Sequence, residues 1–194
     1  MGITVAILLT MWRSPERQSL YATRIQWWKE HVQAPDGLFL VDSYGNLPNS
    51  SNVLSFNQSL HFTPQQQHSS STYELYALAF VLDAWKSEFQ KFTYVFKVTC
   101  KYVVPKLLRW IHNANPSTSL VLQHYYGTEV IGFRTRDMVQ IVSNLTALNR
   151  VQCCIEDAVR AIKSFHSITQ MPPMNIPVKF QTKRGFGDTL PYIR

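Results

Sequence analysis

The residues best equipped for chemistry stand where apolar runs end. Thr10 and Arg13 follow the run Ile3–Leu9, Asp42 and Ser43 follow Leu38–Val41, and Gln123-His124-Tyr125 follow a short run from Ser119. The run from Thr93 closes on Lys97-Val98-Thr99-Cys100-Lys101-Tyr102. Two lysines and a threonine within five residues form a cluster of cations that repel one another unless an anion joins them. A phosphate-rich ligand would supply that anion; the plainer alternative is that Lys97 and Lys101 are solvated and Thr99 only fills a strand. Glu74 has two readings as well, a partner for the dipole of a helix's first turn or a ligand contact across from the lysine-rich end.

Several chemistries are excluded. The chain has neither G-x-x-x-x-G-K-[ST] nor G-x-G-x-x-G, so a P-loop enzyme and a dinucleotide-binding dehydrogenase lack their phosphate cradles. It has no G-x-S-x-G turn for a serine hydrolase. The six histidines are scattered singly, and Cys100, Cys153 and Cys154 are spaced for neither a disulfide framework nor a zinc site. No resident metal or cofactor is expected, and the odd cysteine count favours a reducing compartment, the cytoplasm.

The elements that must position these residues alternate. Ile3–Leu9 reads as a strand, Arg17–Val32 as a helix with Tyr21, Ile25, Trp28 and Val32 on one stripe, and Leu38–Val41 as a second strand. Residues 44–72 are rich in Ser, Asn and Gln and read as a long loop. A helix over Thr72–Phe89 and a strand over Thr93–Val98 follow, and Pro105 opens another helix. Ser119–Gln123 and Glu129–Phe133 read as short strands, Thr135 as the N-cap of a helix carrying Met138, Ile141, Val142 and Leu145, and Ile155–Phe165 as a further helix. Ile176–Gln181 reads as a late strand. This alternation predicts one α/β domain over 1–194, its mostly parallel sheet covered on both faces. In such sheets ligands bind beyond the carboxyl ends of the strands, which is where the residues above stand.

Composition is consistent with that. With 194 residues, 45% of them hydrophobic, the chain can bury one sizeable core. The opening apolar run is too short for a membrane span and has neither basic residues ahead of it nor a cleavage site behind it. The net charge of +7 suits an anionic partner, but the basic residues are spread along the chain without a nucleic-acid-binding motif. A phosphate-bearing small molecule is therefore preferred to nucleic acid.

The order of segments resembles the GT-A glycosyltransferases along nearly the whole chain. Val5-Ala6-Ile7-Leu8-Leu9-Thr10 is similar to their opening strand, and Leu40-Val41-Asp42-Ser43 to the second strand, whose acidic end faces the nucleoside. Thr93–Pro105 is similar to the stretch that delivers an Asp-x-Asp metal motif, but here Thr99-Cys100-Lys101 stands in its place. In that respect the chain resembles small metal-independent transferases of large DNA viruses, algae and bacteria with a Lys-x-Thr-Gly-Lys-Tyr-like stretch, Cys100 taking the glycine position. The resemblance implies a GT-A-like (Rossmann-like) three-layer fold. It also implies a metal-free hexosyl- or pentosyltransferase of the inverting kind that uses a nucleotide-diphosphate sugar and a glycan or glycoprotein acceptor, in the host cytoplasm if the chain is viral. A lysine would supply directly the positive charge that a metal gives the leaving diphosphate.

The same resemblance suggests the remaining roles. Glu129–Thr135 is similar to the strand and turn that line the acceptor side, and Ile155-Glu156-Asp157 to the acidic pair heading the following helix. An alcohol is a poor nucleophile at neutral pH, so a carboxylate must take its proton. Asp157 is the first choice for that base, with Asp137 and Glu129 behind it; Glu156 and Asp157, and Asp137 near Thr135, could instead simply favour helix N-termini. The donor site would comprise Thr10, Arg13, Asp42, Ser43, Glu74, Lys97, Thr99, Lys101, Tyr102 and Arg184. Tyr125 and Tyr126 are candidates for stacking on an acceptor sugar. Two rivals keep the basic strand end but change the class: a sugar nucleotidyltransferase, and a non-catalytic carbohydrate- or nucleotide-binding module.

Overall fold

The computed structural model describes residues 2–11, 18–42, 50–55, 70–114, 116–123, 128–152, 155–162, 164–172, 174, 181–182 and 185–186. Its central feature is β1 (Val5–Met11), seven residues that are all buried. A strand buried at every position and apolar at all but Thr10 must be covered on both faces, and it therefore lies inside the sheet. It pairs in parallel with β2 (Gly37–Asp42) on one side and β4 (Tyr94–Thr99) on the other. Including β3 (Val53–Ser55), β5 (Leu120–Leu122), β6 (Val130–Arg134) and β7 (Ile168–Gln170), the sheet runs β3-β2-β1-β4-β6-β5-β7. Only β6 runs against the others.

Helices cover both faces. On one, α1 (Gln18–His31) and α4 (Leu107–Ala114) bury Tyr21, Trp28, Leu107 and Ile111 against Ile7, Leu9, Phe96 and Val98. On the other, α2 (Ser70–Ala84), α3 (Lys86–Phe89), α5 (Met138–Gln152) and α6 (Ile155–Ile162) bury Leu75, Leu78, Phe89, Ile141 and Val159 against Leu8, Val95 and Phe133. Adjacent strand residues alternate between the two cores, as the pleat requires. Each large apolar side chain so buried contributes about 1.5–3 kcal/mol. The result is the expected GT-A-like three-layer α/β arrangement.

The structure departs from the sequence reading in several places. Residues 53–55, inside the stretch read as loop, extend the sheet through Leu40↔Val53 and Val41↔Leu54; three residues are too few to show a period. The helix read as continuous to Phe89 breaks at Trp85, whose backbone leaves helical geometry at φ −115°. There Trp85 and Phe89 both pack on Phe39, each with ring centroids 5.1 Å away. Thr135 does not cap α5: it begins a 3-10 turn over Thr135–Asp137, and its hydroxyl is buried without a hydrogen-bond partner. Strand β7 is not among the strands that the sequence reading gives, and of the late strand read over 176–181 only Gln181 is described, in a two-residue ladder with Phe186.

Candidate active site at the carboxyl edge of the sheet

The ends of β1, β2 and β4 lie side by side. Thr10 and Thr99 are register neighbours, and Met11 pairs with Asp42. Neighbouring strands are about 4.8 Å apart, so Thr10 and Thr99 form a short row at the carboxyl edge on the face that carries Lys97, while Asp42, in register with Met11, ends β2 on the opposite face. Glu129, just before antiparallel β6, reaches the same edge, where its carbonyl accepts from the Thr99 amide at 2.8 Å.

Beneath this row lies a buried polar cluster. The Lys97 ammonium, with a side chain 0% exposed, makes an ion pair with Glu74 Oε1 at 2.5 Å. It also donates to the Thr128 carbonyl at 2.5 Å and to Thr99 Oγ1 at 3.1 Å. Thr10 Oγ1 donates to the same Glu74 oxygen at 3.0 Å. An ammonium has three protons, and three acceptors surround this one. Lys97, expected at the diphosphate, is thus buried among partners within the fold, where it ties α2 to β4 and donates to the Thr99 hydroxyl. Glu74 likewise is neither a first-turn charge nor a free ligand contact: it stands in the second turn of α2 as the counter-ion of Lys97. Thr128 had no signal in the sequence, because its backbone carbonyl does the work.

The chain next turns over the end of β1. The Tyr102 amide donates to the Thr99 carbonyl at 3.0 Å, and the Cys100 amide to the Thr10 carbonyl at 2.9 Å. Cys100 points into the core, and burial pushes its thiol up to about 12, so it is a neutral packing group. Lys101, partly exposed, has its ammonium 4.8 Å from the centre of the Tyr102 ring, and the Tyr102 carbonyl accepts from Trp28 Nε1 at 3.1 Å. The turn thus separates the two lysines of the motif, one buried and paired, the other held on the rim.

The carboxylates divide between the two edges. After β6, α5 starts at the amino edge and rises about 22 Å over 15 residues, so α6 begins at the carboxyl edge with Asp157 in its first turn. Asp157 pairs with Arg160 at 2.7 Å and is 40% exposed, on the sheet face that also carries Lys97. Asp137 lies after Arg134, which pairs with Tyr94 at the start of β4, five residues from Thr99. That is roughly 16 Å along the strand, which removes Asp137 from this site. Its place among the base candidates came from the sequence resemblance, which does not show the edge to which antiparallel β6 leads.

Gln123, just past β5, is 4% exposed, and both its side-chain nitrogen and oxygen are buried without partners. Such a group costs about 1–3 kcal/mol and calls for a ligand or water. Asp42 is fully buried at the end of β2. Arg13, Ser43, Tyr125, Tyr126 and Arg184 lie outside the described residues. Among the described residues no group of three or more His, Cys, Asp or Glu is gathered as a metal site would need, and no helix is long and apolar enough to cross a membrane.

No protein-family model matches the sequence, and neither does any curated protein. Solved structures do resemble it. A protein of Desulfovibrio desulfuricans G20 assigned as a nucleotide-diphospho-sugar transferase aligns with a TM-score of 0.51 at 10% identity, over 89% of this chain and 80% of that one. A glycosyltransferase involved in glycosylation of the major capsid of PBCV-1 aligns with a TM-score of 0.55 at 11% identity, over 88% of this chain and 82% of that one. At such identities the likeness is one of fold, and by fold this chain is similar to nucleotide-sugar and glycosyl transferases.

Proposed function

We propose that the chain is a glycosyltransferase that moves a sugar from a nucleotide-diphosphate donor to a hydroxyl acceptor, with inversion and without a metal. The observation that carries this is the carboxyl edge itself, where a rim lysine, a fixed threonine hydroxyl and three carboxylates share the end of a GT-A-like sheet. Asp42 faces the nucleoside, while Thr99, Lys101 and Tyr102 take the diphosphate. Thr10, Glu74 and Lys97 hold that end rigid from below. Arg13 and Ser43, which follow the first two strand runs, and Arg184, a cation near the C-terminus, belong to the same donor site on this reading.

Asp157 is the general base, with Glu129 as the second candidate. It accepts the acceptor hydroxyl proton as the new C–O bond forms at the anomeric carbon and the bond to the diphosphate oxygen breaks; Lys101 balances the charge that grows on the departing diphosphate. Gln123 offers unpaired amide hydrogens and a carbonyl to sugar hydroxyls. The buried free thiol of Cys100 suits a reducing compartment such as the cytoplasm.

Calorimetric titration with UDP, GDP, TDP and CMP, each with EDTA and again with manganese, tests the donor site. One nucleotide should bind in EDTA, and Lys101→Ala should weaken it at least tenfold. Asp157→Asn should lower turnover roughly 10²- to 10⁴-fold with donor affinity within about twofold, while Asp137→Asn should leave turnover within about twofold. Binding only with manganese would overturn the metal-free reading. Full turnover in Asp157→Asn would overturn the base.

A further inference from the structure

At the opposite, amino edge of the sheet, α3, the start of α5 and the end of β6 enclose a cavity of about 390 Å³. Its floor is apolar, with Leu82, Phe89, Phe92 and Met138, and its rim carries Lys86, Arg134 and Arg136. The cavity continues into a groove of about 470 Å³ between α2 and α5, since Leu82, Lys86 and Val139 line both. The groove is walled by Ala79, Val142 and Ala147, with Asp83 as the one acidic residue along it. From Val139 to Thr146 it follows α5 for about 10 Å.

We infer that this cavity and groove bind a single-chain amphiphile with a phosphate head group, the phosphate between Lys86, Arg134 and Arg136 and the alkyl chain along α2 and α5. Three observations converge. Arg134 and Arg136 line the cavity alone and Lys86 its junction with the groove, so positive charge is gathered toward the cavity end and the far end of the groove carries no cation. The Thr135 hydroxyl, which lines the cavity, is buried without a hydrogen-bond partner and can donate to a phosphate oxygen. Val139 is 57% exposed, one of the few large apolar side chains so open among the described residues, and it stands where the chain would pass from cavity to groove. Of the cations, Arg136 is 69% exposed with its Nε 3.7 Å from the Asp137 carboxylate, and Arg134 commits one nitrogen to the Ser117 carbonyl at 2.6 Å; each guanidinium has further donors for a ligand. The separation from Asp157 by the height of the sheet makes this a docking site for a lipid, not the place where an acceptor hydroxyl reacts.

The test is calorimetry with decyl phosphate, hexyl phosphate, inorganic phosphate and decyl maltoside, each below its micellar concentration. Decyl phosphate should bind at micromolar concentration, at least tenfold more tightly than hexyl phosphate, because each buried methylene contributes about fourfold. Lys86→Ala with Arg136→Ala should weaken it at least tenfold, and so should Ala79→Glu with Val139→Asp; these residues are exposed, and an unchanged thermal midpoint confirms the fold of each variant. Inorganic phosphate binding as tightly would reveal a plain anion site, and decyl maltoside binding as tightly a plain apolar groove. Either result, or decyl phosphate binding indifferent to both double variants or absent at 1 mM, overturns the inference. None of these outcomes depends on nucleotide binding at the other edge.

Discussion

Replacing Glu74 by Gln should destabilise the fold more than replacing Lys97 by Met. The two groups meet at 2.5 Å, but Lys97 is 0% exposed and Glu74 is 22% exposed. In Lys97→Met the orphaned carboxylate keeps its hydrogen bond from Thr10 and can draw on water through its open side. In Glu74→Gln the ammonium retains its charge, has no route to solvent, and faces neutral acceptors. Breaking a buried pair on one side costs about 3–5 kcal/mol, and Glu74→Gln should fall in that range; Lys97→Met, with its partly solvated survivor, should cost about 2–3 kcal/mol. For a chain of this size that places the midpoint of Glu74→Gln roughly 6–20 °C below the parent. In the double variant no charge remains, so its loss should be smaller than the sum of the singles by at least about 2 kcal/mol. Urea unfolding and calorimetry at pH 7 measure all three. Additive losses, or a Glu74→Gln loss below about 1 kcal/mol, would refute the view that this pair anchors the carboxyl edge.

Two further outcomes follow from packing and burial. Gly132→Ala should cost about 1–3 kcal/mol in urea unfolding, because a methyl there would stand within 3.0 Å of three atoms of the buried Phe96 ring; an unchanged midpoint would mean that ring can move. Cys100, raised from 9.0 to about 12 by burial, keeps its proton in the folded chain at pH values where the unfolded chain releases it. Its contribution is therefore complete below pH 9 and is lost as pH rises toward 12, at up to about 1.4 kcal/mol per pH unit. Cys100→Ala should show a correspondingly shallower loss of stability in urea titrations between pH 8 and 10.5, and equal slopes would contradict the burial.

The sequence by itself determined the order and type of most elements. Runs such as Val5–Met11, apolar at nearly every position, have to be central strands, and the stripe of Tyr21, Trp28 and Val32 can only be a helix face. The rule that ligands meet the carboxyl ends of such strands singles out Thr10, Asp42 and Thr99 from the order of segments alone. Short segments without a period, β3 and β7, were not legible, since their pairing comes from neighbours distant in the chain. Only the tertiary structure separated residues that look alike in sequence. Lys97 and Lys101 are four positions apart, yet α2 brings Glu74 over one of them and the turn at Thr99 lifts the other to the rim. Asp157 and Asp137 are both carboxylates near helix starts, and the antiparallel run of β6 sends them to opposite edges of the sheet. Residue type and local period are properties of a segment, whereas the partner of a buried charge and the edge that a loop reaches depend on which distant segments fold against it.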